Sequence, residues 1–134
     1  ERKTGYTLIE LAPNKTAKQV KEVIINVMGP LVSLVKAQTY DNGKEFALHE
    51  TIAEALEASS YFAHPCHSWE RGLNQNTNGL IRQYALKSTS FNEMKPDDMI
   101  NIMEKLNNRP RKFLDFKTPN EVFFGINPPI ALAN

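Results

Sequence analysis

Segments with the composition of β-strands alternate with segments of helical periodicity along this chain of 134 residues. Residues 6–11, 34–40 and 61–63 are rich in strand-forming residues, so we predict three short strands there. Between and after them, apolar residues recur at helical spacing. The resulting prediction is five helices, at about residues 16–29, 44–58, 74–86 and 96–107, with a short last one from Thr118. Alternating strands and helices predict an α/β fold with at least some parallel strand pairing.

Length and composition predict one domain over residues 1–134, able to bury roughly two thirds of its unfolded surface. No apolar run approaches the roughly 20 residues that cross a bilayer, so we expect no membrane association. The one cysteine, Cys66, excludes a disulfide within the chain and fits a reducing, cytoplasmic location. The net charge of +1 does not by itself indicate a nucleic-acid partner.

Asp41 directly follows the second predicted strand and is itself followed by Asn42 and Gly43. Ligands of parallel sheets bind beyond the carboxyl ends of the strands, so Asp41 is a candidate site residue. The alternative is that these three residues form only a turn, for which they are well suited.

The helix predicted from Asn74 has two chemically different faces at about 100° per residue. Its apolar face, typical of a core, consists of Leu73, Thr77, Leu80, Ile81 and Tyr84. Its polar face consists of Gln75, Asn78, Gly79 and Arg82, joined by Arg71 if the helix begins early. Such a face suits the passage of a nucleic-acid backbone, and it is equally the composition of an ordinary solvated face.

A short basic segment lies near the C-terminus, where four cations surround Asp115. They are Arg109, Arg111, Lys112 and Lys117. The segment could contact phosphates. A solvated loop would have the same composition.

Three motifs in order give this chain a resemblance to the integrase-like core of bacterial insertion-sequence (DDE) transposases, which are related to retroviral integrases. Residues 39–46 resemble the segment around that family's second Asp, and residues 68–84 resemble the segment leading into its catalytic helix. Residues 106–111 with 117–123 resemble its C-terminal hallmark. The 33 residues between Asp41 and Gln75 also match the usual spacer between the second Asp and the Glu.

The resemblance implies a ribonuclease-H-like fold and metal-dependent DNA cleavage and strand transfer, with DNA as partner. In such sites converging carboxylates hold two Mg²⁺ or Mn²⁺ ions roughly 4 Å apart. Asp41 would be a catalytic residue and metal ligand, and Gln75 occupies the position of the catalytic Glu. The candidate DNA contacts are Arg71, Asn78, Arg82, Arg109, Arg111 and Lys112.

Two departures from the family set expectations for this chain. The first two strands of the family, with the first Asp, precede the point where this sequence begins, and Gln75 is a neutral amide. We therefore expect that Mg²⁺ or Mn²⁺ binds weakly or not at all and that this chain does not cleave DNA. Missing strands would leave unpaired sheet edges, so we also expect a homodimer or larger assembly.

Two alternatives to a truncated catalytic core remain. The chain could be a non-catalytic DNA-binding or assembly fragment that pairs with intact transposase. It could also be an unrelated metal hydrolase that uses His64 and His67. A zinc site at His64, Cys66 and His67 lacks a second ligand cluster in the sequence.

Overall fold

The computed structural model describes residues 1–64, 72–85 and 93–126, and the chain divides into two compact units. We call Glu10–Gly72 the sheet unit, and Glu1–Ile9 with Leu73–Asn134 the helical unit. The described elements are α1 (Ala17–Met28), β1 (Ala37–Tyr40), α2 (His49–Ala55), β2 (Ser59–Phe62), α3 (Gly72–Ala85), α4 (Pro96–Asn107) and α5 (Pro119–Phe124). Their mixture of helices and a parallel strand pair confirms the predicted α/β class.

Within the sheet unit, β1 and β2 form a parallel pair whose register runs from Ala37 opposite Ser59 to Tyr40 opposite Phe62. In β1 the side chains alternate, with Gln38 and Tyr40 buried and their neighbours exposed. The core behind the pair contains Ile52 of α2 and Leu56, both almost completely inaccessible to solvent. α2 packs against both α1 and β2, so burial of these aliphatic side chains holds the unit together.

Local signals fix the start and the end of α1. The Thr16 hydroxyl accepts a hydrogen bond from the Gln19 amide (3.4 Å) and so caps the start of the helix. After Met28 the chain continues as a 3-10 helix over Gly29–Leu34, with Pro30 in its first turn. Because this turn occupies residues 29–34, β1 begins at Ala37 rather than at residue 34.

The predicted N-terminal strand over residues 6–11 is wrong, because this segment forms no strand. A strand needs a neighbour for its backbone groups, and here a side chain supplies the partner. The Asn107 amide accepts from the Thr7 N–H (2.8 Å) and donates to the Thr7 carbonyl (2.7 Å). The backbone of Thr7 is therefore satisfied without a β-ladder.

The helix predicted over residues 44–58 is interrupted. Lys44–Phe46 forms a short 3-10 helix, and Leu48 has non-helical dihedrals (φ −98°, ψ 26°) before α2 begins at His49. Glu57 then takes a left-handed conformation (φ 50°) and ends the helical segment. Apolar periodicity alone does not register such local breaks.

Helices α4 and α5 of the helical unit begin where their sequence signals predict. α4 begins with Pro96, as predicted, and the Asp98 carboxylate accepts from the Lys95 N–H (2.9 Å). α5 begins after Thr118, whose hydroxyl accepts from the Glu121 amide (3.2 Å). The core of the helical unit comprises Ala85, Met94, Met99, Ile102, Leu106 and Pro119. The rings of Tyr6 and Phe123 stack on each other in the same unit.

Candidate functional site

Asp41 lies at the carboxyl end of β1, in the sheet unit, as predicted. Asp41 and Asn42 are both exposed, and the Asn42 amide donates to the Ala63 carbonyl just beyond β2 (3.2 Å). This bond ties together the chain segments that leave the two strands. Asn42 thus has a structural role, while Asp41 is an exposed residue at the edge where parallel sheets bind ligands.

Strand β1, which directly precedes Asp41, is held in place by aromatic packing and one buried hydrogen bond. The Tyr40 ring contacts the rings of Phe46 and Phe62, with centroids 4.9 and 6.0 Å away. Its hydroxyl donates to the Gln38 side chain. Burial raises the pKa of Tyr40, so the ring stays neutral and acts as a packing residue.

The loop after β1 contains a second carboxylate, that of Glu45. It folds back over Gly43, in the space that any β-carbon at position 43 would need. In residues 1–64, 72–85 and 93–126, however, no three His, Cys, Asp or Glu side chains form a group that could hold a metal ion. The described side chains therefore do not fit the two-metal site that the resemblance implies, which needs several converging carboxylates.

Gln75 lies in the first turns of α3, assigned to the helical unit, and the two predicted faces of this helix are confirmed. The predicted apolar residues are half-buried, namely Leu73, Thr77, Leu80, Ile81 and Tyr84. Exposed positions are Asn74, Gln75, Asn76, Asn78, Gly79, Arg82 and Gln83. The helix contains no acidic residue, and Arg82 is its single formal charge. Since Asp41 and Gln75 belong to different units, their meeting at one metal site stays a prediction.

The predicted basic segment is an ordered loop between α4 and α5, and we call residues 109–117 the basic loop. Arg109 and Lys112 are exposed. Arg111 is half-buried, and its guanidinium donates to the Leu106 carbonyl at the end of α4 (3.1 Å). Burial lowers the pKa of Arg111, and the charge of Arg109 lowers that pKa further. Arg111 therefore anchors the loop as well as contributing positive charge.

Of the remaining sequence candidates, all but His64 lie outside the described part of the chain. Arg71, Cys66 and His67 lie outside the described residues. His64 is described and exposed, directly after Ala63 at the end of β2.

Sequence analysis missed a contact that links α3 to the basic end of α4. The Lys105 ammonium lies over the Tyr84 ring, 5.6 Å from its centroid. Tyr84 also acts electrostatically on Arg111, whose pKa it raises against the other influences. No local pattern marks such a pair, because its members come from two helices that meet only in the folded unit. Cations of α4 and the basic loop therefore adjoin the second half of α3.

The two units carry opposite net charge. The helical unit has ten Lys and Arg against seven Asp and Glu, a net charge of +3. The sheet unit has six against eight, a net charge of −2. The overall value of +1 conceals this difference, which favours the helical unit as the surface for a polyanion.

Within the described residues, no helix has both the length and the apolar character needed to cross a membrane.

The chain is similar to curated transposases over most of its length. It is 47% identical over 123 residues to the transposase for insertion sequence element IS4351 of Bacteroides fragilis, covering 92% of this chain and 38% of that protein. It is 39% identical over 123 residues to transposase InsI for element IS30A of Escherichia coli strain K12, covering 91% and 32%. For the transposase of element IS1086 of Cupriavidus metallidurans the identity is 36% over 126 residues, covering 91% and 36%. The chain thus spans about a third of the length of the curated relatives it matches.

Among solved structures, the catalytic core domain of BIV integrase is similar to this chain with a TM-score of 0.64 at 18% sequence identity. The likeness covers 91% of this chain and 80% of the integrase chain, and it confirms the predicted ribonuclease-H-like fold. No profile of a protein family matches the chain. By sequence the chain is similar to insertion-sequence transposases, of which it spans about a third, and by fold it is an integrase-like core.

Proposed function

We propose that this chain is the catalytic-core segment of an insertion-sequence transposase, a DNA-binding domain whose parent protein cuts DNA and transfers strands. The observation that carries this proposal is the 47% identity to the IS4351 transposase over 92% of the chain. The likeness to an integrase core extends over 91% of the chain, which supports treating both units as one domain. A cytoplasmic location belongs to the same proposal.

DNA binding is assigned to the helical unit. The supporting features are the acid-free exposed face of α3, with Asn78 and Arg82, and the basic loop, with Arg109, Arg111 and Lys112. Asn and Arg side chains donate hydrogen bonds to phosphate oxygens, and an acid-free face spares a polyanion like-charge repulsion. Arg71 is a further candidate outside the described residues.

The test of DNA binding is a salt titration of affinity for duplex DNA. Each phosphate contact releases counterions, so log K should fall linearly with log salt concentration. Arg82→Gln and Arg109→Gln should each reduce the steepness of that fall by about one unit. Lys18→Gln, an exposed lysine of the sheet unit, is the matched control and should leave it unchanged. A salt-independent affinity, or equal effects of all three variants, would refute the assignment.

We propose that Asp41 and residue 75 occupy the metal-binding positions of the parent transposase, whose cleavage activity would use Mg²⁺ or Mn²⁺. In this chain the amide of Gln75 replaces the expected carboxylate, and among the described residues no three-ligand cluster includes Asp41. A single amide oxygen is a weak ligand beside a charged carboxylate. The chain itself is therefore proposed to be inactive in cleavage.

A nicking and strand-transfer assay with Mg²⁺ or Mn²⁺ tests this inactivity. The unmodified chain should show no turnover above the background of the Asp41→Ala variant. Turnover that disappears in Asp41→Ala would contradict the proposal, since it would require a working metal site around Asp41.

A second candidate is a non-catalytic DNA-binding or assembly fragment, and Gln75 is the observation that favours it. Such a fragment should change the DNA affinity or activity of intact transposase when the two are mixed. If mixing changes neither, this candidate is excluded.

Self-association is part of both candidates. Within the described residues the sheet consists of β1 and β2 alone, and Tyr61 and Phe62 of β2 remain 58% and 38% exposed. A strand edge with exposed aromatic side chains favours pairing with another chain. Light scattering at micromolar concentration should give the mass of a dimer or larger assembly; a monodisperse monomer would exclude it.

A further inference from the structure

The basic loop presents two phenylalanine rings to solvent among its cations. Phe113 is 59% exposed and Phe116 is 72% exposed, and both rings lie within five consecutive residues. Aromatic side chains are ordinarily buried in a protein core, because they carry a large apolar surface. Rings left outside, between positive charges, are therefore candidates for contact with another molecule.

Backbone hydrogen bonds hold this loop in one conformation. Arg111 donates to the Lys117 carbonyl (2.9 Å), and Phe116 donates back to the Arg111 carbonyl (3.0 Å). At its base, the Arg111 side chain bonds to the end of α4, and the Asn120 amide at the start of α5 donates to the Asn108 side chain (2.7 Å). The rings are thus carried on a closed loop that is anchored to both neighbouring helices.

The conformation that exposes Phe116 is an unusual one for its residues. Asp115 and Phe116 both lie in the left-handed region, with φ values of 52° and 63°. Aspartate tolerates this region, but a bulky residue such as Phe116 rarely adopts it, and two non-glycine residues in succession are held there only by surrounding contacts. Phe113, in turn, has its ring tip close to Gly5, where an added β-carbon would lie 3.3 Å away. The loop therefore fixes the positions of both rings.

The charges beside the rings define what they can bind. Four cations, Arg109, Arg111, Lys112 and Lys117, outnumber the single carboxylate of Asp115 in the same loop. Flat aromatic faces between cations fit a ligand that has both flat faces and phosphates. Nucleic acid has this combination, but a paired duplex keeps its base faces covered by stacking.

We infer that the basic loop is a stacking site for an unpaired nucleotide of DNA, with Phe116 as the principal ring and Lys112 and Arg109 on the flanking phosphates. This inference rests on the proposed DNA binding and adds to it the class of DNA: strands with unpaired bases, such as single-stranded or frayed ends. Base stacking on aromatic side chains tolerates every sequence, so the site selects structure and not sequence.

The first experiment compares two DNA ligands of equal length, a duplex closed by hairpins at both ends and a duplex with an unpaired 3′ extension. Phe116→Ala should weaken binding of the extended DNA about tenfold and leave the closed duplex within about twofold. Phe116→Leu keeps apolar bulk without a π face and should behave as Phe116→Ala does. Ile100→Ala, which removes a 49% exposed aliphatic residue from α4, is the control and should change neither affinity.

A second experiment needs no variant and so is independent of folding. DNA with 5-iodouracil at the unpaired position is irradiated with the unmodified chain, and crosslinks are mapped after trypsin digestion. Cleavage after Lys112 and Lys117 releases residues 113–117 as one peptide that contains both rings. Crosslinks concentrated in this peptide support the site, and crosslinks elsewhere overturn it.

The outcomes separate this inference from the proposed function. If the unmodified chain binds neither DNA, both fail. If it binds both, and Phe116→Ala weakens both equally or neither, the stacking site alone fails. If Phe116→Ala instead converts an oligomer into a monomer in light scattering, the ring is a contact between copies of the chain, and the nucleotide site is overturned.

Discussion

The sheet unit and the helical unit are stabilised by different kinds of buried contact. In the sheet unit, aliphatic residues of the α2 region and the rings around Tyr40 pack behind a short parallel strand pair. In the helical unit, a buried amide, that of Asn107, replaces a strand partner for Thr7. Their charges differ as well, with −2 on the sheet unit and +3 on the helical unit.

The difference separates the two chemical tasks that the proposed function requires, metal binding and DNA binding. The sheet unit provides Asp41, a carboxylate at a strand end, while the helical unit provides cations and amides on exposed faces. Each task follows from local structure: strand ends expose the residue after the last paired position, and amphipathic helices expose a polar face. The following comparisons between the units test how far this separation holds.

The largest effect is expected from cavities in the two cores. Ile52→Ala in the sheet unit and Leu106→Ala in the helical unit each remove a fully buried aliphatic side chain, which should lower the free energy of unfolding by about 2–5 kcal/mol. Units of this size have small cores, so we expect them to unfold together in one transition that both variants shift. Calorimetry checks this; two transitions, each sensitive to one variant, would show independent domains. Ile100→Ala and Val32→Ala, at exposed positions, are the matched controls.

The next largest effect on stability compares two buried polar side chains. The Asn107 amide has hydrogen-bond partners, and the Ser60 hydroxyl has none among the described residues. Asn107→Ala should lower the free energy of unfolding by about 2–3 kcal/mol, because it leaves both backbone groups of Thr7 without their partner. In the sheet unit, the Ser60 hydroxyl is buried without a hydrogen-bond partner among the described residues, so Ser60→Ala should be neutral or slightly stabilising. Urea unfolding measures both. If Asn107→Ala and Ser60→Ala lower the free energy of unfolding equally, the hydrogen bonds of the Asn107 amide do not contribute to stability.

Sequence-based prediction succeeded for elements whose stabilising interactions lie close together along the chain. α4 and α5 begin where predicted because Pro96, Thr118 and Glu121 act on backbone groups within one turn. The two faces of α3 were predicted because burial repeats with the helical period. These elements depend on neighbours in sequence.

Other predictions failed because the interaction partner lies far along the chain. The strand over residues 6–11 has suitable composition, but Thr7 binds Asn107, 100 residues away. The Lys105–Tyr84 contact and the exposure of Phe116 likewise arise only after helices pack. For the candidate site, Asp41 at a strand end and Gln75 on an exposed helix face were predicted correctly as local placements. Their convergence at one metal site depends on tertiary structure and stays a prediction.

A smaller effect is expected from one added negative charge in each unit. Gln75→Glu places a carboxylate on the acid-free face of α3, and without metal it should weaken duplex DNA binding about threefold through like-charge repulsion. Asn14→Asp makes the same neutral-to-acid change at an exposed position of the sheet unit and should alter affinity by less than about 1.5-fold. Fluorescence anisotropy in the presence of EDTA measures both. A larger loss with Asn14→Asp would assign DNA binding to the sheet unit.

The smallest effect on the free energy of unfolding is expected from relief of backbone strain. Each unit has a residue with positive φ, which is Glu57 after α2 in the sheet unit and Asp115 of the basic loop in the helical unit. Glycine adopts this region without a β-carbon clash, although it also loses more conformational entropy on folding. Aspartate tolerates the left-handed region better than glutamate does. Glu57→Gly should therefore raise the free energy of unfolding by about 1 kcal/mol, and Asp115→Gly by about 0.5 kcal/mol or less. Glu57→Ala removes the same carboxylate but keeps the clash, so it should not stabilise. If Glu57→Ala stabilises as much as Glu57→Gly in urea unfolding, side-chain charge and not backbone strain is the cause, and the strain inferred at Asp115 and Phe116 loses its support as well.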